Sequence, residues 1–177
     1  MSTATFWRLY IESARAVHIF AGITWIGLLY YFNFVQGFSF PKMEAPARSN
    51  AIMNLVPRAL HAFRYSALAT VLLGFAVIGG LSAQHSTYVH SKEYRVILVG
   101  LSFGLVMLFN VWLIIWPNQK KIIAATTATV KEGKPAPPEQ AAWTRRATLA
   151  SRANVMLSIP MLFMMVAAAH LNDLLWK

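Results

Sequence analysis

The sequence predicts an all-α integral membrane protein: a four-helix bundle with both termini on the outer side of the membrane. Three observations carry that expectation. Of the 177 residues, 57% are hydrophobic and only 12% are charged, about half the charged share of a soluble domain. Four apolar runs reach the roughly 20 residues that a helix needs to cross hydrocarbon while satisfying its own backbone. The basic residues gather in two of the connecting stretches, as membrane insertion requires.

The first span runs from about Ala14 to Gln36, the second from about Ala59 to Ala83, the third from about Tyr94 to Trp116 and the fourth from about Asn154 to Leu175. Four spans use up most of a chain of this length, so residues 1–177 are expected to form a single membrane domain. The stretch Met1 to Arg15 has no short apolar core ahead of a small-residue cleavage site, so the first span is expected to be retained. The connection 37–58 carries Pro41, Pro46 and Pro57, and the connection 117–153 carries Lys-Pro-Ala-Pro-Pro at 134–138. Both are expected to be non-helical, at least in part.

Charge sets the orientation. The two connections and their flanking helix ends hold Lys42, Arg48, Arg58, Arg64, Lys120, Lys121, Lys131, Lys134, Arg145, Arg146 and Arg152, eleven of sixteen Lys and Arg. The other side holds Arg8, Arg15, Lys92, Arg95 and Lys177. The positive-inside rule places both connections in the cytoplasm. Trp7, Trp116, Trp143 and Trp176 lie near the expected interfaces, as aromatic anchors do. The same distribution accounts for a net charge of +10 without a nucleic-acid partner. With no cysteine, disulfides, thiolate metal sites, iron–sulfur clusters and c-type haem attachment are excluded.

Gly100 and Gly104 give the third span a small-xxx-small spacing, and Gly74, Gly79 and Gly80 thin the second, so close helix approach is expected there. The halves show no convincing repeat, which argues against an inverted-repeat transporter.

The histidines divide by depth. His18 lies one turn inside the outer end of span one and His170 near the outer end of span four, with His85 and His90 on the outer loop between them and His61 alone on the other side. A haem b needs two neutral imidazoles at matching depth on facing helices, and copper or another His-bound metal needs two to four imidazoles together. His18 and His170 meet the depth condition for either. Arg15, His18, Gly22 and Trp25 share one face of span one, with a small residue one turn from the His and an Arg able to hold a carboxylate. The alternative is that both His are interfacial hydrogen-bonding residues and Arg15 a snorkelling anchor. His85 and His90, loop residues, are more naturally solvated than ligating.

Asn33, Arg64, Asn110 and Asn154 lie toward the opposite ends of the spans and are costly there unless they face the bundle interior. They could line a polar substrate pocket, or the Asn side chains could serve as helix–helix hydrogen bonds. Pro160 inside span four removes the donor for the carbonyl of Met156 and predicts a kink, with Met156, Met161, Met164 and Met165 around it. Those methionines read first as core packing. Asp173 is the acid close to that span's outer end, and no catalytic triad, phosphate loop or paired intramembrane carboxylate is present.

The segment Arg15-Ala-Val-His18-Ile-Phe-Ala-Gly22-Ile-Thr-Trp25-Ile-Gly27, followed by Tyr30-Tyr-Phe, resembles the first membrane helix of the bacterial urate oxidase (urate hydroxylase) N-terminal membrane domain. Similar segments follow in order: Phe63-Arg64-Tyr65-Ser66-Ala67 running to Gly74, Asn110-Val-Trp112 through Pro117-Asn118-Gln119-Lys120, and Arg152-Ala-Asn154 through Ser158 and Pro160 to His170. The resemblance implies a bacterial inner-membrane protein of a family associated with urate oxidation, with electrons passed to a cytochrome c. It falls on His18, Arg64, Asn110, Gln119, Asn154 and His170. Members that oxidise urate are longer and end in a cytochrome c domain, whereas this cysteine-free chain resembles a short form without one.

The expectation is therefore a small membrane subunit of an oxidoreductase. Such a subunit is not expected to oxidise urate alone; it is expected to support electron transfer through a haem b or a His-bound metal and to work beside a membrane-complex partner or a periplasmic cytochrome. Two alternatives stand beside it: a cofactor-free accessory subunit packed on a larger membrane complex, and a protein binding or transporting a small urate-like anion.

Overall fold

A computed structural model describes residues 2–170 of the chain. Four long helices and one short one form the described structure: α1 Thr3–Lys42, α2 Ala45–Asn54, α3 Val56–Gln84, α4 Lys92–Glu132 and α5 Gln140–His170. The four long ones are apolar and long enough to cross a membrane, so the chain is a multi-pass membrane protein. The end of the fourth span at Leu175, with Asp173, Trp176 and Lys177, lies outside the described residues.

Several boundaries differ from those read in the sequence. Helix α1 begins at Thr3 rather than near Ala14, because Ser2 caps it by accepting from the Thr5 N–H at 3.2 Å and because Ile11 and Ala14 are buried against the bundle. The stretch 37–58 is largely helical. Pro46 and Pro57 stand in the first turns of α2 and α3, where a fixed φ and a missing N–H cost nothing, so they start helices instead of breaking them. The stretch 117–153 is also mostly helical. Ile122, Ala125 and Thr126 of α4 and Ala147 and Ala150 of α5 are buried at helical spacing, which carries both helices beyond the expected spans. The break shrinks to residues 133–139. Gly133 at φ +67 ends α4, its N–H returning to the Ala128 carbonyl, and the Pro-rich run follows as expected.

Two π-helical segments interrupt the long helices, Tyr31–Gln36 in α1 and Asn110–Ile115 in α4. Each has a local cause. Asn33 Nδ2 donates to the Leu29 carbonyl at 2.8 Å and competes with the ordinary backbone donor. Pro117 cannot donate to the Leu113 carbonyl, and the wider winding before it takes up the mismatch. Pro160, by contrast, sits inside an α5 that runs unbroken from Gln140 to His170.

Packing is by pairs. Helix α1 lies along α3, and α4 lies along α5. The pairs join in the half nearer α2 through one core that includes Trp25, Leu29, Phe63, Met107, Val111 and Met161. Toward the histidine-bearing end, a small separate core of Val96, Ala167 and Ala168 belongs to α4 and α5 alone. Two glycines set the pair distances. A Cβ on Gly80 would lie 2.8 Å from Ile11 Cγ1, and one on Gly100 would lie 3.1 Å from Met164 Cβ. Gly80→Leu is therefore expected to destabilise the protein by about 1–3 kcal/mol through overpacking. Thermal unfolding in detergent reads this out, and an unchanged midpoint would show that the α1–α3 contact yields freely.

Helices α1 and α5 are antiparallel, and two side-chain bonds fix their register. Tyr30 Oη lies 3.0 Å from Ser158 Oγ, and Asn33 Nδ2 donates to Ser151 Oγ at 2.7 Å. The outward faces are strongly apolar: Phe20 is 71% exposed, and Leu113 and Met156 are each 69% exposed. Bare apolar surface on that scale needs lipid or another subunit over it.

Candidate cofactor and ligand sites

His18 stands half-buried on the face of α1 that meets α3. Its Nδ1 lies 2.7 Å from the Thr70 carbonyl oxygen. A carbonyl only accepts, so Nδ1 carries the proton and Nε2 keeps its lone pair free. Gly74, one turn on from Thr70, makes room for the ring: a Cβ there would come within 3.3 Å of His18 Cε1 and 3.5 Å of Nδ1. A clamped tautomer with an open Nε2 is how proteins present an imidazole to a metal. Two turns along the same face, Trp25 is 1% exposed and its indole N–H is buried without an acceptor.

His170 repeats the pattern at the last described turn of α5. Its Nδ1 lies 3.1 Å from the Val166 carbonyl, again leaving Nε2 free, and its ring is exposed. His18 precedes Tyr30 by twelve residues, and His170 follows Ser158 by twelve, in antiparallel helices. Both imidazoles thus lie roughly 18 Å from the Tyr30–Ser158 contact in the same direction. They share a level, but α1 packs on α3 and α5 on α4, so the helices carrying them touch only lightly.

The other candidates at this end are dispersed. Arg15 is paired with Glu12 of its own helix at 2.8 Å, with both side chains largely exposed. His85 caps α3 and His90 ends a short 3-10 turn, Tyr88–His90, both exposed. In that turn, burial and then the Glu93 carboxylate push the Tyr88 phenol above its ordinary value, the Arg15 guanidinium opposing them. Among the described residues no three His, Cys, Asp or Glu side chains converge.

Asn110 and Asn154 do meet. Asn110 Nδ2 donates to Asn154 Oδ1 at 2.8 Å, and Asn154 Nδ2 donates to the Met107 carbonyl at 3.0 Å. Asn154 is 0% exposed, with both ends of its amide used. Asn33 joins α5 one turn away through Ser151. These amides tie helices together, as their structural reading requires. Arg64 lies apart, its guanidinium carbon 3.9 Å from the Trp116 ring centroid and 5.4 Å from that of Trp112.

The cavity in this region has other walls. About 560 Å³ opens between the end of α1, α2, the start of α3, the extension of α4 and the start of α5, and its polar lining includes Asn33, Gln36, Arg48, Gln119, Gln140 and Arg152. No carboxylate lines it, and the side-chain oxygens of Gln36 and Gln140 are buried without a donor. Of the pocket residues expected from the sequence, only Asn33 belongs to it. Of the missed polar residues, Arg48, Gln119, Gln140 and Arg152 lie in the stretches taken as loops and Gln36 at the end of the first expected span, and only Gln119 and Arg152 belong to the segments that carry the family resemblance.

A family model described as urate oxidase N-terminal matches residues 66–174. The match spans Thr70, Gly74, Asn110, Asn154 and His170, while Arg15, His18, Asn33 and Arg64 precede it. No curated protein and no solved structure matches the chain.

Proposed function

The chain belongs to the urate oxidase N-terminal family, and from that premise we propose that it is a membrane redox subunit holding a haem b between His18 and His170. In this reading it sits in the bacterial inner membrane with both termini outside and its basic helix extensions in the cytoplasm. The clamped His18 imidazole carries this reading, with Nδ1 fixed on Thr70, Gly74 beneath the ring and Nε2 free. The common level of His170 supports it. A haem b held by these two imidazoles would supply one-electron transfer, here toward a periplasmic cytochrome. The Thr70 carbonyl raises the basicity of the imidazole that donates through Nδ1. Arg15 is close enough to the outer face to receive a propionate-like carboxylate, because an exposed pair with Glu12 is worth little.

The test is a reduced-minus-oxidised spectrum of the detergent-purified protein, with metal analysis beside it. A b-type band that disappears in both His18→Ala and His170→Ala is expected. A spectrum unchanged in both variants would sink the assignment. A spectroscopically silent protein containing copper moves the same residues to the metal reading. A silent, metal-free protein leaves a cofactor-free accessory subunit packed on a larger complex.

The polar cavity favours a second reading, that this family member binds a small urate-like anion. Two arginines offer charge, and two unpaired amide oxygens ask for N–H or O–H donors. Urate is expected to raise the melting temperature of the wild type, with the rise lost in Gln36→Leu and in Arg152→Ala. An equal rise in both variants would place the anion elsewhere.

A further inference from the structure

Arg64 has no carboxylate partner among the described residues, although it is half-buried at the edge of the apolar span. Its guanidinium is flanked by Trp116, Tyr65 and Trp112, with ring centroids 3.9, 4.7 and 5.4 Å from its central carbon. Among the described residues its one hydrogen bond runs from Nη2 to Tyr65 Oη at 3.3 Å, and its Nε–H is buried with no acceptor. Lys120 reaches the same indole from the next turn of α4, its Nζ 5.9 Å from the Trp116 centroid. Stacking on aromatic faces offsets part of the cost of desolvating a guanidinium but does not neutralise it. Two cations share one tryptophan, and neither has a counter-ion among the described residues.

The surroundings indicate what supplies the anion. Tryptophans at this level mark a membrane boundary. From the cluster toward the middle of the span runs an apolar stripe on both helices, Leu72 and Phe75 on α3 and Leu113, Phe109 and Val106 on α4, all strongly exposed. Leu72 lies eight residues from Arg64, and Leu113 three residues from Trp116, so the stripe continues the faces that carry the cations. A pair of cations at the headgroup level above bare apolar helix faces is complementary to one phosphate and the acyl chains attached to it.

We propose that Arg64 and Lys120, with Trp116 between them, bind the phosphate of an anionic phospholipid whose acyl chain lies along the α3–α4 stripe. The guanidinium meets the phosphate through its unused N–H groups, and Trp112 and Tyr65 hold its plane in place. This assignment does not depend on whether the protein binds haem or urate.

Native mass spectrometry of the detergent-purified full chain tests it. The protein is titrated separately with dioleoyl phosphatidylglycerol, dioleoyl phosphatidylcholine and inorganic phosphate. Phosphatidylglycerol is expected to bind in preference to phosphatidylcholine, and Arg64→Gln and Lys120→Ala are each expected to weaken it on the order of fivefold. Circular dichroism checks that the variants fold. Lys120 is exposed, so its variant decides the matter if Arg64→Gln does not fold. Equal binding of the two lipids, or full phosphatidylglycerol affinity in Lys120→Ala, overturns the proposal. Displacement of the lipid by millimolar inorganic phosphate also overturns it, in favour of a free-ion site.

Discussion

Gly74→Leu is expected to abolish the haem binding proposed for His18 while leaving the bundle folded. The new side chain begins tight against the His18 ring: its Cβ alone would stand 3.3 Å from Cε1 and 3.5 Å from Nδ1. The Cβ alone asks the ring to give by a few tenths of an ångström, and the rest of the leucine side chain is expected to push it further, weakening the 2.7 Å contact with the Thr70 carbonyl that sets its tautomer and aim. The helix itself is not harmed, because leucine is a better helix former than glycine by up to about 1 kcal/mol. Loss of an orienting contact of this kind costs about 10- to 100-fold in metal affinity. The measurement is haem absorbance per mole of protein, read beside the melting temperature. Gly79→Leu is the control, since a Cβ there meets nothing within 4 Å. Full haem occupancy in Gly74→Leu would mean that His18 is not the ligand.

The same residues show how far the sequence could be read. Hydrophobic run length placed the four spans, and the depth of His18 and His170 could be counted along them. What the counting lacked was lateral position: which helix lies beside which is decided by contacts such as Gly80 on Ile11 and Gly100 on Met164, and no single-chain periodicity encodes those. The helix extensions were hidden for a different reason. Residues 117–132 are rich in Lys, Thr and Ala, so their hydropathy falls below that of a span, but the buried Ile122, Ala125 and Thr126 still follow helical spacing. Pro46 and Pro57 were read as breakers because proline's effect depends on its position in the helix, and that position is known only once the helix start is known. The cavity was missed for the same reason, because much of its wall is helix in the stretches taken for loops, closed by the ends of the expected spans at Asn33, Gln36, Leu60, Phe63 and Ile115.

The amides are where membrane cost and structural role were both legible, and they yield the second large effect. Asn154→Leu is expected to destabilise the protein by about 1–3 kcal/mol, because Asn110 loses its acceptor in a half-buried position and the Met107 carbonyl loses an extra donor. This exceeds the average of about 0.6 kcal/mol for a membrane helix hydrogen bond, as expected for a side chain with no exposure and both amide ends engaged. The double variant Asn110→Leu/Asn154→Leu separates two roles of the pair. If adhesion were its main contribution, removing the second partner would not help. If the cost lies in the orphaned amide, two apolar partners recover much of the stability, and unfolding midpoints of the two singles and the double distinguish these outcomes. Alignment is a separate matter. The Asn110–Asn154 bond sits at the π-helical turn of α4, one turn from Ser151 and Ser158, whose bonds to Asn33 and Tyr30 set the α1–α5 register. A double variant that melts like the wild type but carries less haem would show that these amides hold α4 and α5 in the rotation that keeps His170 level with His18.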